Sequence, residues 1–207
     1  MYKKVFNLTL TFLIISSLYC SNSCAQQNKK PMLQNKKQEN GKNIPDWNKK
    51  VRISPKAEIT QTIGLTDVTI SYSRPGVKGR KIWGELVPYN KVWRAGANEA
   101  TKIAFSNDVL VNGKKVPAGS YALFLIPHQK EWTVILNKVA DQWGAFTYNE
   151  AQDFLRFDVK PQLSNFHEWL EYTFSDMKVN EKGINSAVLN MLWEKIRLPI
   201  TIEADVN

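Results

Sequence analysis

Apolar and polar residues alternate along most of the chain from Val51 to Asn207, and no apolar stripe at helical spacing lasts beyond three turns. Val68, Ile70 and Tyr72 alternate with Thr69, Ser71 and Ser73, and Trp132, Val134 and Leu136 with Thr133, Ile135 and Asn137. Leu170, Tyr172 and Phe174 alternate with Trp169, Glu171 and Thr173, and Ile196, Leu198, Ile200 and Ile202 with Arg197, Pro199, Thr201 and Glu203. A strand turns successive side chains to opposite faces, so each run predicts a strand with one face inward. Tyr121 to Ile126 is apolar on both faces, which predicts a central strand covered on both sides.

Turn chemistry punctuates the runs. Asn112-Gly113 between Val109–Val111 and Val116 predicts a two-residue hairpin. Pro117-Ala118-Gly119 opens the central strand and Pro127 closes it, while Lys182-Gly183 separates the Phe174 strand from two C-terminal ones. Pro199 donates nothing to a ladder, so its strand is expected at an edge. Short helical pieces are expected at Ile82–Leu86 and near Asn149–Phe154. About ten short strands, with turns every 8–12 residues, predict an all-β fold: an antiparallel β-sandwich or jelly roll. The 157 residues from Val51 suffice for one domain, residues 51–207.

The N-terminal residues read differently. Lys3 and Lys4 precede a mostly apolar run from Val5 to Tyr19, too short and too interrupted by Asn7, Thr9 and Thr11 to favour a membrane-spanning helix. Ser23 and Ala25 place small residues at −3 and −1, so residues 1–25 read as a signal peptide cut before Gln26, and the protein is expected in the periplasm or outside the cell. The alternative is a lipoprotein anchored at Cys24, although Ser21 stands where such a signal wants Leu. With cleavage before Gln26 both cysteines, Cys20 and Cys24, leave with the signal, which excludes disulfides, thiol catalysis and zinc–thiolate sites from the mature chain.

Residues 26–50 are rich in Gln, Asn and Lys and bury too little apolar surface to offset their ordering entropy, so a disordered tether is expected. They also explain the charge. Of 28 basic and 19 acidic residues, the leader holds two Lys and the tether seven Lys against Glu39 and Asp46, leaving the domain with 19 basic and 17 acidic residues. A folded basic face for nucleic acid is therefore not expected.

Between two strands, Ser73 to Thr101 runs 29 residues without either period. A loop that long inside a compact domain is usually a functional element. Arg74, Lys78 and Arg80 bracket Gly76 and Gly79, and Arg94 follows Trp93. Glycines permit close backbone approach, and guanidinium forks suit carboxylate, sulfate or phosphate groups. The same cations can instead stitch the loop to Glu85, Glu99 and backbone carbonyls. Trp83 and Trp93 can stack on a sugar ring or planar ligand, or can plug the sandwich end. Asn98, Glu99 and Thr101 lie just before a strand and can meet the Arg74 arm. There Glu99 is either an acid/base or an anchor for Arg94 or Arg80, and neighbouring guanidinium groups would favour its ionised form.

No metal site or cofactor is expected. His128 and His167 are the only histidines, 39 residues apart, and no elbow serine, P-loop or dinucleotide fingerprint occurs.

Several runs together resemble a known family. They are Ser73-Arg74-Pro75, Lys78-Gly79-Arg80-Lys81-Ile82-Trp83-Gly84, Val92-Trp93-Arg94-Ala95-Gly96-Ala97-Asn98-Glu99-Ala100-Thr101, Pro117-Ala118-Gly119-Ser120-Tyr121, Glu131 to Asn137 and Gln142-Trp143-Gly144. Over about Ser54 to Glu203 the chain resembles DUF2911, a family of exported bacterial domains of unknown function. The resemblance implies an all-β secreted or periplasmic domain and no particular reaction.

Three function classes follow. The first is a non-catalytic binding module for a small anionic or sugar-like ligand or an extracytoplasmic partner. The second is a hydrolase- or lyase-like enzyme using Glu99, with Arg74, Arg80 and Arg94 orienting a carboxylated or sulfated substrate. The third is a structural accessory of the envelope. A pocket lined by the arginines without a second carboxylate favours the first.

Overall fold

The computed structural model describes residues 51–181 and 183–204. The expected signal peptide and tether lie outside these residues. Two antiparallel sheets hold ten strands. The larger has the order β1-β2-β3-β6-β7-β8 and the smaller β5-β4-β10-β9. In chain order the strands are β1 (Lys56–Ile63), β2 (Thr66–Ser73), β3 (Thr101–Phe105), β4 (Val109–Val111), β5 (Lys114–Val116), β6 (Gly119–Ile126), β7 (Trp132–Asn137), β8 (Asp153–Val159), β9 (Gln162–Asn180) and β10 (Gly183–Ala204). This is the expected antiparallel sandwich, though β9 and β10, at 19 and 22 residues, are far from short.

The alternating runs point inward as their period requires. Val68, Ile70, Leu123, Leu125, Val134 and Leu136 of one sheet share a single buried cluster with Leu170, Leu189, Met191, Leu198, Ile200 and Ile202 of the other. Tyr72 and Tyr172 meet edge to face across the layers at 4.8 Å, and the Tyr72 hydroxyl accepts the Tyr172 backbone N–H. The Asn112-Gly113 hairpin forms, both residues having positive φ (49° and 76°) as a type I′ turn needs.

Strand β6 lies between β3 and β7 and is covered on both faces. Ala122 and Phe124 form a second cluster with Ala100 and Ile135, beneath Val92, Ala145 and Tyr148 from two loops. A polar network anchors the second of these loops. Buried Asn137 donates to the Asn149 carbonyl and to Asp153, and Asp153 also accepts from Tyr148 and Arg156.

Three sequence expectations need correction. Pro199 is not on an edge strand, because β10 lies between β4 and β9; it falls where the β9 ladder has ended at Arg197 and the β4 ladder has yet to begin at Ile202, so its missing N–H breaks no rung of either. The two C-terminal strands are one, bent by register shifts around Glu194 (φ 55°) instead of broken by a turn. Ile82–Leu86 is a turn closed by a Trp83–Val87 bridge, with Val87 N–H bonding Ile82 O at 2.9 Å, and near Asn149 only Glu150–Gln152 is helical, a single 3-10 turn. Because Leu123 is fully buried in a strand paired on both sides, Leu123→Ala should cost about 2–4 kcal/mol in urea unfolding.

Candidate functional site

The long segment before β3 closes one end of the sandwich, and each of its arms pairs with a different sheet. At the first arm, Val77 N–H bonds Glu168 O at 2.7 Å and Leu170 N–H bonds Pro75 O at 3.0 Å, which extends the smaller sheet beyond β9. Gly76 eases this close approach, since a Cβ would stand 3.1 Å from Glu168 Oε1 and 3.2 Å from the Trp169 ring. At the second arm, Trp93 and Leu125 exchange two backbone hydrogen bonds of 2.8 and 2.9 Å. Strand β3 reaches only as far as Leu123 on β6, so Trp93 occupies the edge that β3 leaves open.

Between Trp93 and β3 the chain turns sharply, with Ala95 and Asn98 in the left-handed region at φ 53° and 59°. Such conformations persist where surrounding contacts fix them. Here the Ala95 carbonyl accepts from Tyr172 Oη at 2.8 Å and Thr101 Oγ1 at 2.9 Å, and Thr101 N–H bonds Arg94 O at 3.1 Å. Thr101, expected to serve a ligand, is a buried clamp on this turn.

Four tryptophans converge beneath the arms. Trp83 packs against Trp132, Trp193 and Trp93 with ring centroids 4.5, 5.6 and 5.8 Å away, and Trp93 stacks on Trp193 at 5.7 Å. A cavity of about 260 Å³ opens beside them, lined by Lys78, Arg80, Trp93, Arg94 and Trp193 together with Ile53 and backbone around Gly76 and Gly96. Among the described residues no carboxylate lines it. Arg80 donates to the carbonyls of Gly76 (2.5 Å) and Val77 (3.1 Å), which pins it across the first arm. Lys78 Nζ lies 5.6 Å from the Trp169 ring.

Arg94 is half-buried and poorly satisfied. Among the described residues its only hydrogen bond is a long one from Nη1 to Asn98 O at 3.3 Å, and its buried Nε has no partner. Burial alone pushes its pKa down. Gly144 packs on this guanidinium so closely that a Cβ there would fall 2.6 Å from Nη1.

A family model described as a protein of unknown function, DUF2911, matches residues 54–202. The chain belongs to the DUF2911 family. No curated protein and no solved structure matches it. The DUF2911 match spans both arms, all four clustered tryptophans and Gly144, but stops short of Arg52.

The remaining candidates of this DUF2911 domain lie apart from the cavity lining. Arg74 donates to Leu170 O at 2.9 Å and to Glu171 at 3.2 Å, and Asn98 donates to Ser54 O at 3.2 Å. Glu99 pairs with neither Arg94 nor Arg80. Arg52 grips it through two bonds of 2.6 and 2.7 Å, an ion pair between residues 47 positions apart. That fork, the largest cause, holds the Glu99 carboxyl at about 2, down from an ordinary 4.5. A carboxylate so held stays ionised near neutral pH and is a poor proton donor. Sequence reasoning passed over Trp193, which lines the cavity from β10 and stacks on Trp93, a pairing of residues distant in the chain that has no local signature.

Because the folded-state pKa of Glu99 is depressed, its contribution to stability is complete above about pH 4.5 and fades as pH falls through about 2. Carboxyl-detected NMR titration should place the Glu99 midpoint near 2 in the parent protein and well above it in Arg52→Ala.

Proposed function

We propose that this domain is an exported, non-catalytic binding module that takes a small anionic ligand between the two arms of its long loop. The observation that carries the reading is an imbalance: Lys78, Arg80 and Arg94 line one concave space, and among the described residues no carboxylate does. Leaving a half-buried guanidinium without a counter-charge is costly, and a ligand carboxylate, sulfate or phosphate would supply both the charge and the acceptor that Arg94 Nε lacks. Trp93 and Trp193 give an apolar wall for the body of the ligand. A cavity of about 260 Å³ suits a molecule at or below the lower end of ordinary small-ligand sites, about 300 Å³. Glu99 is absent from this lining and its carboxylate is held by Arg52, so the reading involves no acid–base step.

The test is thermal unfolding with sulfate, inorganic phosphate, benzoate and glucuronate, each titrated against the parent protein and Arg94→Ala. At least one anion should raise the parent Tm saturably, and Arg94→Ala should abolish that rise while changing unliganded stability by less than about 1 kcal/mol. Gly144→Ala, which displaces the guanidinium, should weaken the same response. A large loss of stability in Arg94→Ala with no anion response in the parent would make Arg94 a structural brace and end the proposal.

A further inference from the structure

A second cavity, of about 360 Å³, shares no residue with the first. Its walls come from the ends of β1, β2 and β3 and from the loop after β7, including Ser73, Glu99, Lys102, Asp141, Gln142 and Trp143. Unlike the first cavity, it holds cations and carboxylates in equal number, Lys56 and Lys102 against Glu99 and Asp141. Lys102 Nζ bonds Asp141 Oδ1 at 2.9 Å, Glu99 is paired with Arg52 at 2.6 Å, and Lys56 stands close enough to Glu99 to favour its ionised form. Both carboxylates are thus paired, and the group still offers outward lone pairs and N–H donors. Such a lining suits a ligand that both donates and accepts hydrogen bonds without bringing a charge.

The aromatic component is Trp143. It is 56 % exposed, whereas Trp193 is buried and Trp83 is enclosed by three other indole rings. Its backbone is nonetheless fixed, since the chain bridges antiparallel to Glu99 and Ala100 N–H bonds Gln142 O at 3.0 Å. The loop is tied down further by Gln142 Nε2 donating to Val139 O at 2.7 Å. A large indole held open on an anchored loop, beside paired polar groups, is an arrangement for stacking on a ring. The buried hydroxyl of Ser73, which lines the same cavity, has no hydrogen-bond partner.

We infer that this second cavity is a subsite for a neutral pyranose ring. The C–H face of the sugar lies on Trp143, and its hydroxyls bond the Lys102–Asp141 pair, the outer lone pairs of Glu99 and the Gln142 amide. The site uses none of the residues of the anion cavity, so the two proposals succeed or fail separately.

Saturation-transfer NMR on the mature chain, with the methyl pyranosides of glucose, galactose, mannose, xylose and N-acetylglucosamine and their β-linked oligomers, tests it. Saturation should reach the ring protons of at least one of these sugars. Trp143→Ala should weaken that sugar by about tenfold or more and Trp143→Phe by less. Circular dichroism of Trp143→Ala should match the parent, because the lost side chain is mostly exposed. The inference is overturned if no probe receives saturation or if Trp143→Ala binds as the parent does.

Discussion

The exchange of two backbone hydrogen bonds between Trp93 and Leu125 is the contact on which the loop-bearing end of this molecule depends. It exists because β3 is shorter than β6 and leaves part of that strand's edge open. An open edge is an unpaired row of donors and acceptors, and the loop satisfies it with its own backbone. The other arm does the same for β9 through Pro75 and Val77. A segment of 29 residues without a regular period is thereby fastened to both layers of the sandwich, and its side chains are positioned as firmly as those of a strand.

That fastening explains where unsatisfied groups accumulate. Among the described residues, the buried side-chain polar atoms without partners are Ser73 Oγ, Trp83 Nε1, Arg94 Nε and Trp193 Nε1. Three of the four residues line one or the other cavity, and Trp83 packs against the two tryptophans of the first. Elsewhere buried polar groups are well provided for, as in the network of Asn137, Tyr148, Asp153 and Arg156 that anchors the loop carrying Trp143 and Gly144. Orphaned groups cost stability, and their gathering around the two cavities is what the proposed binding role would account for.

The two cavities divide the chemistry of that end. One gathers cations whose charges no carboxylate in its lining balances, against indole rings. The other presents paired carboxylates, the cations Lys56 and Lys102 and a single open indole. The short turn from Arg94 to Glu99 contributes to both: Arg94 lines the first and Glu99 the second. The strain at Ala95 and Asn98 is what lets so few residues serve two spaces, and Tyr172 and Thr101 hold that strain in place.

The sequence by itself determined the layers. A period of two is a property of the extended chain, so Val68–Tyr72, Tyr121–Ile126 and Leu170–Phe174 declared their strands and their buried faces without reference to anything distant. The Asn112-Gly113 turn was legible for the same reason, because its positive φ angles are a local demand. It also marked the long cationic segment as the place to look, and brought Lys78, Arg80, Trp93 and Arg94 to attention together. Only the tertiary structure decided which charges meet. Glu99 is held by Arg52, 47 residues away, instead of by the arginines nearer in sequence, and Trp193 lines the cavity stacked on Trp93, which is far from it in the chain. Pro199 shows the same limit: its missing N–H constrains its neighbour, but which neighbour a strand has is settled by how the two sheets pack. Periodicity is written residue by residue, whereas partnership depends on the whole fold.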